Sequence, residues 1–484
     1  MAVLSELEPK RVFHYFEEIC GIPHGSYNEK EISDYLVAFA KEHGLEYYQD
    51  ELYNVVMLIP ASEGYENEEP IILQGHMDMV CEKKPDADID MEKEGLRLDV
   101  DGDYVYAKDT TLGGDDGIAI AYMLAIAEDS TIPHPPLEYI ITVSEEVGMD
   151  GAAGVDLSML KGNRMLNIDS EEEGIFLTSC AGGVAAHVSI PVVWETSADL
   201  NWYEVTVSGL QGGHSGVEIN KERANSNKVI SRALYELKNK IPYKLHALEG
   251  GAKDNAIPLY ASATIGMDKK YESDAMTLAQ ELDKILKAEY AISDAGIQLS
   301  LIDSNEKADN KLTLDDESLE KVISFLMSVP NGIQAMSMSV PGLVETSLNM
   351  GILRLKEEGL FTQHAVRSSV TTKKCYVANQ MKALAKSLGG KVVCKGEYPA
   401  WEYKQESVVR DRVVALYREM YGKEPVMEGI HAGLECGLLA DKIKDLDCIS
   451  MGPDILDIHT PAERLSISST KRVYEFLLAF LQQK

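Results

Sequence analysis

Histidine and carboxylate side chains directly follow several short apolar runs of the sequence. The residues in these positions are His76, Asp78, Glu145, Glu146, Asp169 and His459. Each apolar run has the length and composition of a buried strand. Open α/β sheets form their sites beyond the carboxyl ends of parallel strands, so we expect these side chains to meet at one edge of a sheet.

Such a set of side chains is suited to metal binding. Two imidazoles and several carboxylates are costly to bring together unless a cation neutralises the negative charge. This donor set suits Zn²⁺, with Mn²⁺ or Co²⁺ as alternatives. Taken singly, a His-x-Asp pair fits a hydrogen-bonded surface pair, and adjacent glutamates fit a solvated turn. The combination therefore predicts a metal site, whereas no single motif does.

A glycine-rich segment, LGGDDG at 112–117, opens a run at 116–127 that is apolar nearly all round. Glycines before a helix can bind phosphate, but Asp115 and Asp116 would repel it. The segment also lacks both G-x-G-x-x-G and a P-loop lysine, which excludes a nucleotide-binding enzyme. The run predicts a helix packed on a sheet, with acidic residues at its start.

The elements around these residues alternate between strands and helices. This order favours an α/β domain with a mixed, largely parallel sheet flanked by helices. After about 186 the pattern changes to half-buried alternating strands, at 203–208 and 259–265, and long polar helices, at about 220–240 and 272–290. Because His459 must return to a site formed by the first third of the chain, this α+β domain is predicted to be an insertion. We expect one domain from 1–186 and 399–484, and an inserted domain at 187–398.

Composition excludes several classes of protein. The 484 residues contain 79 Asp and Glu against 46 Lys and Arg, a net charge of −33. That balance argues against binding to nucleic acid or to an anionic membrane surface. The length predicts at least two domains.

The cysteines and the N-terminus point to a cellular compartment. The seven cysteines are scattered and form no C-x-x-C pair, which suits a reducing environment. The first residues lack the apolar segment of a signal peptide, and no uncharged run is long enough to cross a bilayer. We therefore expect a soluble cytoplasmic protein.

A series of short motifs, spread over essentially the whole chain, carries a family resemblance. The motifs are QGHMDM at 74–79, TTLGGDDG at 110–117, SEE at 144–146, DSEEEG at 169–174, CAGG at 180–183, GGHSG at 212–216, DNAIP at 254–258, VETSLN at 344–349, HAGLECG at 431–437 and HTP at 459–461. With these motifs the sequence resembles the M20 family of metallopeptidases, and most closely the Xaa-His dipeptidases of the carnosine-cleaving type.

The resemblance implies a co-catalytic site of two zinc ions, with Co²⁺ or Mn²⁺ as substitutes. By position in the motifs, His76 and Asp169 would bind one ion, and Glu146 and His459 the other. Asp115 would bridge the two ions.

The resemblance also implies roles for residues beside the metals. Glu145 would be the general base that takes a proton from the metal-bridging water. Asp78 would orient His76 through its other ring nitrogen. The family pattern often reads Gly-Ala-Asp-Asn where this chain has GGDD at 113–116, which leaves the role of Asp116 open.

By the same resemblance, the inserted domain would be a lid. His214, which on its own fits a turn histidine, would stabilise the tetrahedral oxyanion, from its own or a partner subunit. Asn255 and Arg367 would meet the substrate backbone and its terminal carboxylate, although Arg367 also fits a surface position at a strand edge. Glu435 would contact a metal-side or amino-terminal group of the substrate.

The activity implied is hydrolysis of small free dipeptides, especially Xaa-His dipeptides such as β-alanyl-histidine. The nearest alternative is another hydrolase of the same fold, an N-acyl amino acid deacylase or a tripeptidase. The alternative from a different class of protein is a non-catalytic metal- or peptide-binding protein. A thiol nucleophile at Cys436, close to His431, is disfavoured because the metal site already supplies a nucleophile. The resemblance further implies a homodimer formed through the lid.

Overall fold

The computed structural model describes residues 3–197, 199–304 and 311–484. The chain divides into two compact units: unit 1 contains the residues up to Cys180, Tyr403–Gly429 and Leu434–Lys484, and unit 2 contains Ala181–Glu402 and Ile430–Gly433. The sequence-based division assigned all of 399–484 to the first domain. Residues 399–402 and 430–433 instead group with unit 2, as do residues 181–186, which the sequence also assigned to the first domain. Within unit 2 the Ala181 N–H donates to the carbonyl oxygens of Ile430 and Ala432, at 3.1 and 2.9 Å.

The α-helices of the described residues are, in chain order, α1 (Lys10–Cys20), α2 (Lys30–Glu42), α3 (Gly114–Glu128), α4 (Asp150–Gly154), α5 (Ser226–Lys240), α6 (Glu272–Glu289), α7 (Asp316–Ser328), α8 (Thr371–Ser387), α9 (Val408–Tyr421), α10 (Glu435–Lys442) and α11 (Ile467–Leu481).

The strands are β1 (Glu46–Gln49), β2 (Val55–Ile59), β3 (Ile71–His76), β4 (Leu98–Asp101), β5 (Tyr104–Ala107), β6 (Leu137–Thr142), β7 (Arg164–Asn167), β8 (Ile175–Cys180), β9 (Gly182–Ile190), β10 (Trp194–Ser197), β11 (Asn201–Ser208), β12 (Gly213–His214), β13 (Lys244–Gly250), β14 (Ala256–Ile257), β15 (Ala261–Met267), β16 (Gln298–Asp303), β17 (Lys311–Leu314), β18 (Gly332–Met336), β19 (Val344–Lys356), β20 (Gly359–Ser368), β21 (Lys391–Tyr398), β22 (Val426–Ile430), β23 (Asp447–Ser450), β24 (Ile455–Leu456) and β25 (Arg464–Ser466).

Unit 1 is built on an eight-stranded mixed sheet, in the order β1-β2-β6-β3-β7-β23-β8-β22. Its four central strands, β6, β3, β7 and β23, are parallel, whereas β1 and β2 add to it antiparallel. His76 pairs with Thr142, and Gln74 with Asn167, so the carboxyl ends of β3, β6 and β7 are level. The predicted mixed α/β fold is confirmed, and one edge of the sheet gathers the strand ends.

Helix α3 is buried in the core of unit 1. Every residue from Gly114 to Ile126 is buried, as an apolar surface on all sides predicts. The helix packs against β3 on one side and α1 on another. Gly117 of α3 faces Ile19 and Phe16 of α1, to which a Cβ would make ordinary van der Waals contact at 3.4 and 3.5 Å. This packing fixes the start of α3 against the end of β3.

Unit 2 is an antiparallel α+β structure. Its main sheet has the order β16-β11-β15-β13-β19-β20-β9-β21, with β18 added beside β19. Apolar residues of α5, α6, α7 and α8 form one core with this sheet. A separate two-stranded pair, β12 with β14, places His214 opposite Ala256. The α+β structure predicted for the middle of the chain is therefore observed.

Candidate active site and metal centre

Three of the five predicted ligands, and the predicted general base Glu145, lie where strands of the unit 1 sheet end. His76 is the last residue of β3, Asp169 follows β7, and Glu145 and Glu146 follow β6. Because these strands are parallel and level, their carboxyl ends place the four side chains together. The strand-end reasoning from the sequence therefore identified the correct edge of the sheet.

The remaining two ligands arrive on other elements. Asp115 lies in the first turn of α3, where it and Asp116 have non-helical backbone angles. His459 lies in the loop between β24 and β25, which pair antiparallel as a hairpin. The hairpin continues into a small sheet with β5 and β4, so the loop is anchored on its C-terminal side.

The two carboxylate oxygens of Asp115 face two different imidazole rings. Oδ1 lies 3.1 Å from Nε2 of His76, and Oδ2 lies 3.1 Å from Nε2 of His459. Oδ1 of Asp169 is 3.6 Å from the same nitrogen of His76, and Oε1 of Glu146 is 3.0 Å from that of His459. Asp115 is thus shared by two groups, each with one imidazole and one further carboxylate.

The charges of this cluster compensate one another. Hydrogen bonds to Asp115 and Glu146 raise the pKa of His459 to about 10. Burial on its own raises the pKa of Asp115, but the two imidazoles outweigh it and hold that pKa well below its usual range. Burial raises the pKa of Asp169 to about 6. A divalent cation provides the same compensation while binding unprotonated ring nitrogens, so the donor set fits a metal ion.

The potential ligand atoms also converge closely enough to share an ion. In three overlapping groups all such atoms lie within 4.8 Å of one another: His76 with Asp116 and Asp169, His76 with Glu145 and Glu146, and Asp115 with Glu146 and His459. This geometry adds Asp116 and Glu145 to the residues that could lie next to a bound ion. Imidazole nitrogens with carboxylate oxygens suit Zn²⁺, Mn²⁺ or Co²⁺.

Asp78 connects the imidazole of His76 to the loop after β6. Nδ1 of His76 is 2.9 Å from the Asp78 carbonyl oxygen and 3.4 Å from its carboxylate. The carboxylate accepts the N–H groups of Glu145 and Glu146, at 3.0 and 3.3 Å, and the hydroxyl of Ser26, at 2.8 Å. The backbone carbonyl and the carboxylate of Asp78 therefore both orient the His76 ring. The same carboxylate also fixes the backbone of Glu145 and Glu146.

Glu145 lies in an environment that disfavours its charge. Burial raises the pKa of Glu145 well above its usual range, and the carboxylates of Asp169, Glu435 and Glu146 add to the effect. His76 opposes it. A carboxylate with a raised pKa beside a metal cluster has the chemistry of a proton acceptor that can also give the proton back.

Asp116 and Gly75 support the backbone of His76. Oδ2 of Asp116, a buried side chain, accepts the His76 N–H at 3.2 Å. A Cβ at Gly75 would lie 2.4 Å from that oxygen and 2.8 Å from Cβ of Ala119. Glycine is required at this position because β3 and α3 approach so closely.

Glu435 lies inside unit 1, at the start of α10. Its Oε2 accepts hydrogen bonds from Nε2 of Gln74 and from the hydroxyl of Thr142, both at 2.6 Å. Burial raises its pKa to about 7. The side chain has no exposed surface, and its hydrogen bonds connect β3 to β6. The substrate contact expected from the sequence remains a prediction.

In unit 2, the structure brings two of the predicted substrate residues together. Nη2 of Arg367 lies 3.5 Å from Nε2 of His214, and its Nη1 donates to the hydroxyl of Tyr398 at 2.8 Å. Burial, and then the charge of Arg367, lower the pKa of His214, so its ring is neutral near pH 7. Asn255 is exposed next to β14, and its carbonyl oxygen accepts the Ser215 N–H at 2.9 Å.

Cys436 has the environment of an inert thiol. It is fully buried, with its sulfur 3.7 Å from that of Cys448. Burial raises the pKa of its thiol well above the usual range. A thiol nucleophile needs a lowered pKa and access to substrate. The structure therefore gives no support to Cys436 as a nucleophile.

Sequence reasoning assigned no role to Tyr398 or Glu463. Tyr398 ends β21 and contacts Arg367 across the sheet, a relation that only the strand order reveals. Glu463 is buried and binds the backbone at the start of α3. Its only sequence signal is its position four residues after His459.

Comparison with known proteins identifies the family of the chain. Residues 72–483 match the model of peptidase family M20/M25/M40. The chain is 36% identical over 484 residues to the cytosol non-specific dipeptidase of Escherichia coli (strain K12), covering 100% of this chain and 99% of the relative. The chain therefore belongs to peptidase family M20/M25/M40 and is a peptide-bond hydrolase, which confirms the family predicted from its motifs.

Solved structures give the same result for the fold. The crystal structure of aminoacylhistidine dipeptidase from Vibrio alginolyticus is 33% identical with a TM-score of 0.93, covering 99% of this chain and 97% of that one. Aminopeptidase PepT from Bacillus cereus ATCC 10987 shares the fold at 15% identity, with a TM-score of 0.56 and 98% coverage of both chains. None of the helices among the described residues is long and apolar enough to span a membrane.

Proposed function

We propose that this protein is a dinuclear zinc dipeptidase that hydrolyses the peptide bond of small free dipeptides, especially Xaa-His dipeptides such as β-alanyl-histidine. The observation that carries the proposal is Asp115, whose two oxygens each face a different imidazole. A carboxylate in this position would be shared by two ions, of which His76 and Asp169 would hold one and Glu146 and His459 the other. Co²⁺ and Mn²⁺ are possible substitutes for Zn²⁺.

The protein's own residues then move the protons. When bound, two divalent ions lower the pKa of water and polarise a carbonyl oxygen. Glu145 accepts the proton of the attacking water and delivers it to the leaving nitrogen. Asp78 keeps Glu145 and Glu146 in place through their backbone N–H groups, and it holds the ring of His76.

Substrate contacts are assigned to residues of unit 2. Arg367 binds the terminal carboxylate of the dipeptide, for which a guanidinium fork is the matching group. His214 donates a hydrogen bond to the oxyanion, from its own or a partner subunit. Asn255 contacts the substrate backbone, and Glu435 contacts the metal-side or amino-terminal group of the substrate. Unit 2 acts as the lid, and through it the protein forms a homodimer.

The relatives support the choice of substrate. The Vibrio alginolyticus structure is named for aminoacylhistidine substrates, and the Escherichia coli relative is named a non-specific dipeptidase of the cytosol. We infer a cytoplasmic location from the latter, and from the cysteines, none of which forms a disulfide among the described residues.

A substrate panel tests the proposal. The protein would be stripped with a chelator, reloaded with Zn²⁺, and assayed on β-alanyl-histidine, other dipeptides, tripeptides and N-acetyl amino acids. We expect cleavage of free dipeptides, Xaa-His among them, only after metal is restored. Cleavage of the acetylated amino acids without cleavage of dipeptides would show a deacylase instead.

A further inference from the structure

Glu463 lies beneath the loop that presents Asp115. It is buried in unit 1, 3% exposed, and its carboxylate faces the N-terminal end of α3. Oε2 accepts the N–H groups of Leu112 and Gly113, at 2.7 and 3.2 Å. Oε1 accepts those of Gly114 and Asp115, at 2.8 and 3.5 Å. One side chain therefore binds four consecutive backbone amides.

These amides have no other cap at the start of the helix. The residue before α3 is Gly113, which has no side chain to bond to the free N–H groups of the first turn. Gly113 has a φ of +71°, so the loop enters the helix through a left-handed residue that glycine adopts easily. A carboxylate suits these consecutive N–H groups of the segment entering α3, because hydrogen bonds to an ionised acceptor are stronger than those to a neutral one.

The same loop of the chain also supplies His459. Three residues separate His459 from Glu463, and the Glu463 N–H donates to the Thr460 carbonyl oxygen at 3.1 Å to close a turn between them. His459 contacts the side chain of Asp115, whereas Glu463 contacts its backbone. Asp115 is thus bound at both ends by one short segment.

The tight fit at Gly114 adds a further constraint. A Cβ at this residue would lie 3.3 Å from Oε1 of Glu463 and 3.4 Å from Ile455. The carboxylate therefore occupies a space bounded by the start of α3 and by β24. A small displacement of Glu463 would move the loop rather than be absorbed by open space.

We propose that Glu463 is a positioning residue of the metal centre, which sets the distance between His459 and the bridging carboxylate of Asp115 by binding the amides of residues 112–115. The inference rests on the proposed function, because it assigns Asp115 and His459 to the metal ions. Glu463 touches neither the ions nor the substrate. It acts on the ligands through the backbone.

Glu463→Gln tests this role most directly. Glutamine has the same size but presents an NH₂ group to two of the four amides, so that half of the hydrogen bonds are lost and donors face donors. The matched control is Glu138→Gln. Glu138 is also buried, and its carboxylate accepts two amides, those of Lys161 and Gly162, at the amino-terminal end of β6.

The measurement is Zn²⁺ affinity, obtained by titrating each metal-free protein with Zn²⁺ against a competing chelator. We expect Glu463→Gln to weaken binding of at least one of the two ions by about 10-fold to 100-fold, the range for residues that orient metal ligands. Turnover at limiting Zn²⁺ should fall in parallel and recover with excess Zn²⁺. Glu138→Gln should lose thermal stability without any change in affinity.

Hydrogen exchange gives an independent readout, and its wild-type arm does not depend on the folding of any variant. In the metal-free wild type, the amides of residues 112–115 should exchange slowly, and in Glu463→Gln they should exchange at least tenfold faster. Wild-type affinity for both ions in Glu463→Gln, or fast exchange of these amides in the wild type, would overturn the inference. Loss of affinity in the variant combined with a wild type that cleaves no dipeptide would instead overturn the proposed function.

Discussion

Replacing Glu145 with glutamine separates proton transfer from metal binding. The two side chains have nearly the same shape, and the loop is held through the Glu145 N–H, which donates to Asp78 and is unaffected by the change. Burial and neighbouring carboxylates raise the pKa of Glu145, so the substitution removes a charge that the site disfavours. We therefore expect Glu145→Gln to fold, to keep its metal ions and to lose no stability in the metal-free state.

Turnover should nevertheless fall sharply. General acid–base catalysis contributes about 10²–10⁴-fold, so kcat should drop by that factor, which corresponds to about 2.7–5.4 kcal/mol in the activation barrier. Steady-state hydrolysis of β-alanyl-histidine, with metal content measured on the same samples, gives both quantities. Glu138→Gln controls for the loss of a buried carboxylate. A Glu145→Gln enzyme with two ions bound and kcat within twofold of wild type would refute the assignment.

Three further predictions concern residues around the site and in unit 2. Asp78→Ala leaves two N–H donors without their acceptor, each costing about 1–3 kcal/mol, so urea unfolding should show a loss of about 2–6 kcal/mol, with Asp78→Asn affected less. Tyr398→Phe removes the hydroxyl that accepts from Arg367, so KM for dipeptides should rise about threefold to tenfold with kcat nearly unchanged; an unchanged KM would separate Arg367 from substrate binding. Burial lowers the pKa of His364 to about 3, so the unfolded chain takes up a proton first as the pH falls from about 6.5. Stability should therefore decrease towards pH 3 by up to about 1.4 kcal/mol per pH unit, and His364→Gln should reduce this slope in urea titrations.

The strand-end residues of the site follow from the sequence for a clear physical reason. Buried parallel strands are short apolar runs, and polar residues just after them must gather at one edge of the sheet. The prediction for 165–168 lies within one residue of β7, and that for 137–143 within one residue of β6. His459 also follows a strand-like run, but a lone histidine late in the chain carries little signal of its own, and its pairing with Glu146 is given only by the resemblance.

The predicted bounds fail where distant residues decide them. Helix α3 is assigned from Gly114, two residues before the predicted start at 116, but Asp115 and Asp116 have non-helical backbone angles. The amides of this entry segment are bound by Glu463, about 350 positions away along the chain. The predicted strand at 259–265 starts only at Ala261, since Leu259 and Tyr260 are about half exposed before β15 begins.

The burial of Glu435 also depends on residues distant in the sequence. A glutamate opening a helix is normally exposed, and the sequence suggests a contact with substrate. Its burial depends on Gln74 and Thr142, whose side chains both donate to it from neighbouring strands. Buried polar networks of this type are formed by tertiary pairing, which local sequence patterns do not encode.

The central claim is that two metal ions, bridged by Asp115, are needed for peptide hydrolysis. The most direct measurement is a titration of the fully chelated protein with Zn²⁺, in which bound metal per chain and β-alanyl-histidine hydrolysis are followed together, with Asp115→Asn as the paired variant. We predict that wild-type activity appears as the ratio approaches two ions per chain and that Asp115→Asn fails to reach it. Full hydrolysis by the chelated protein, or saturation at a single ion, would contradict the two-metal account.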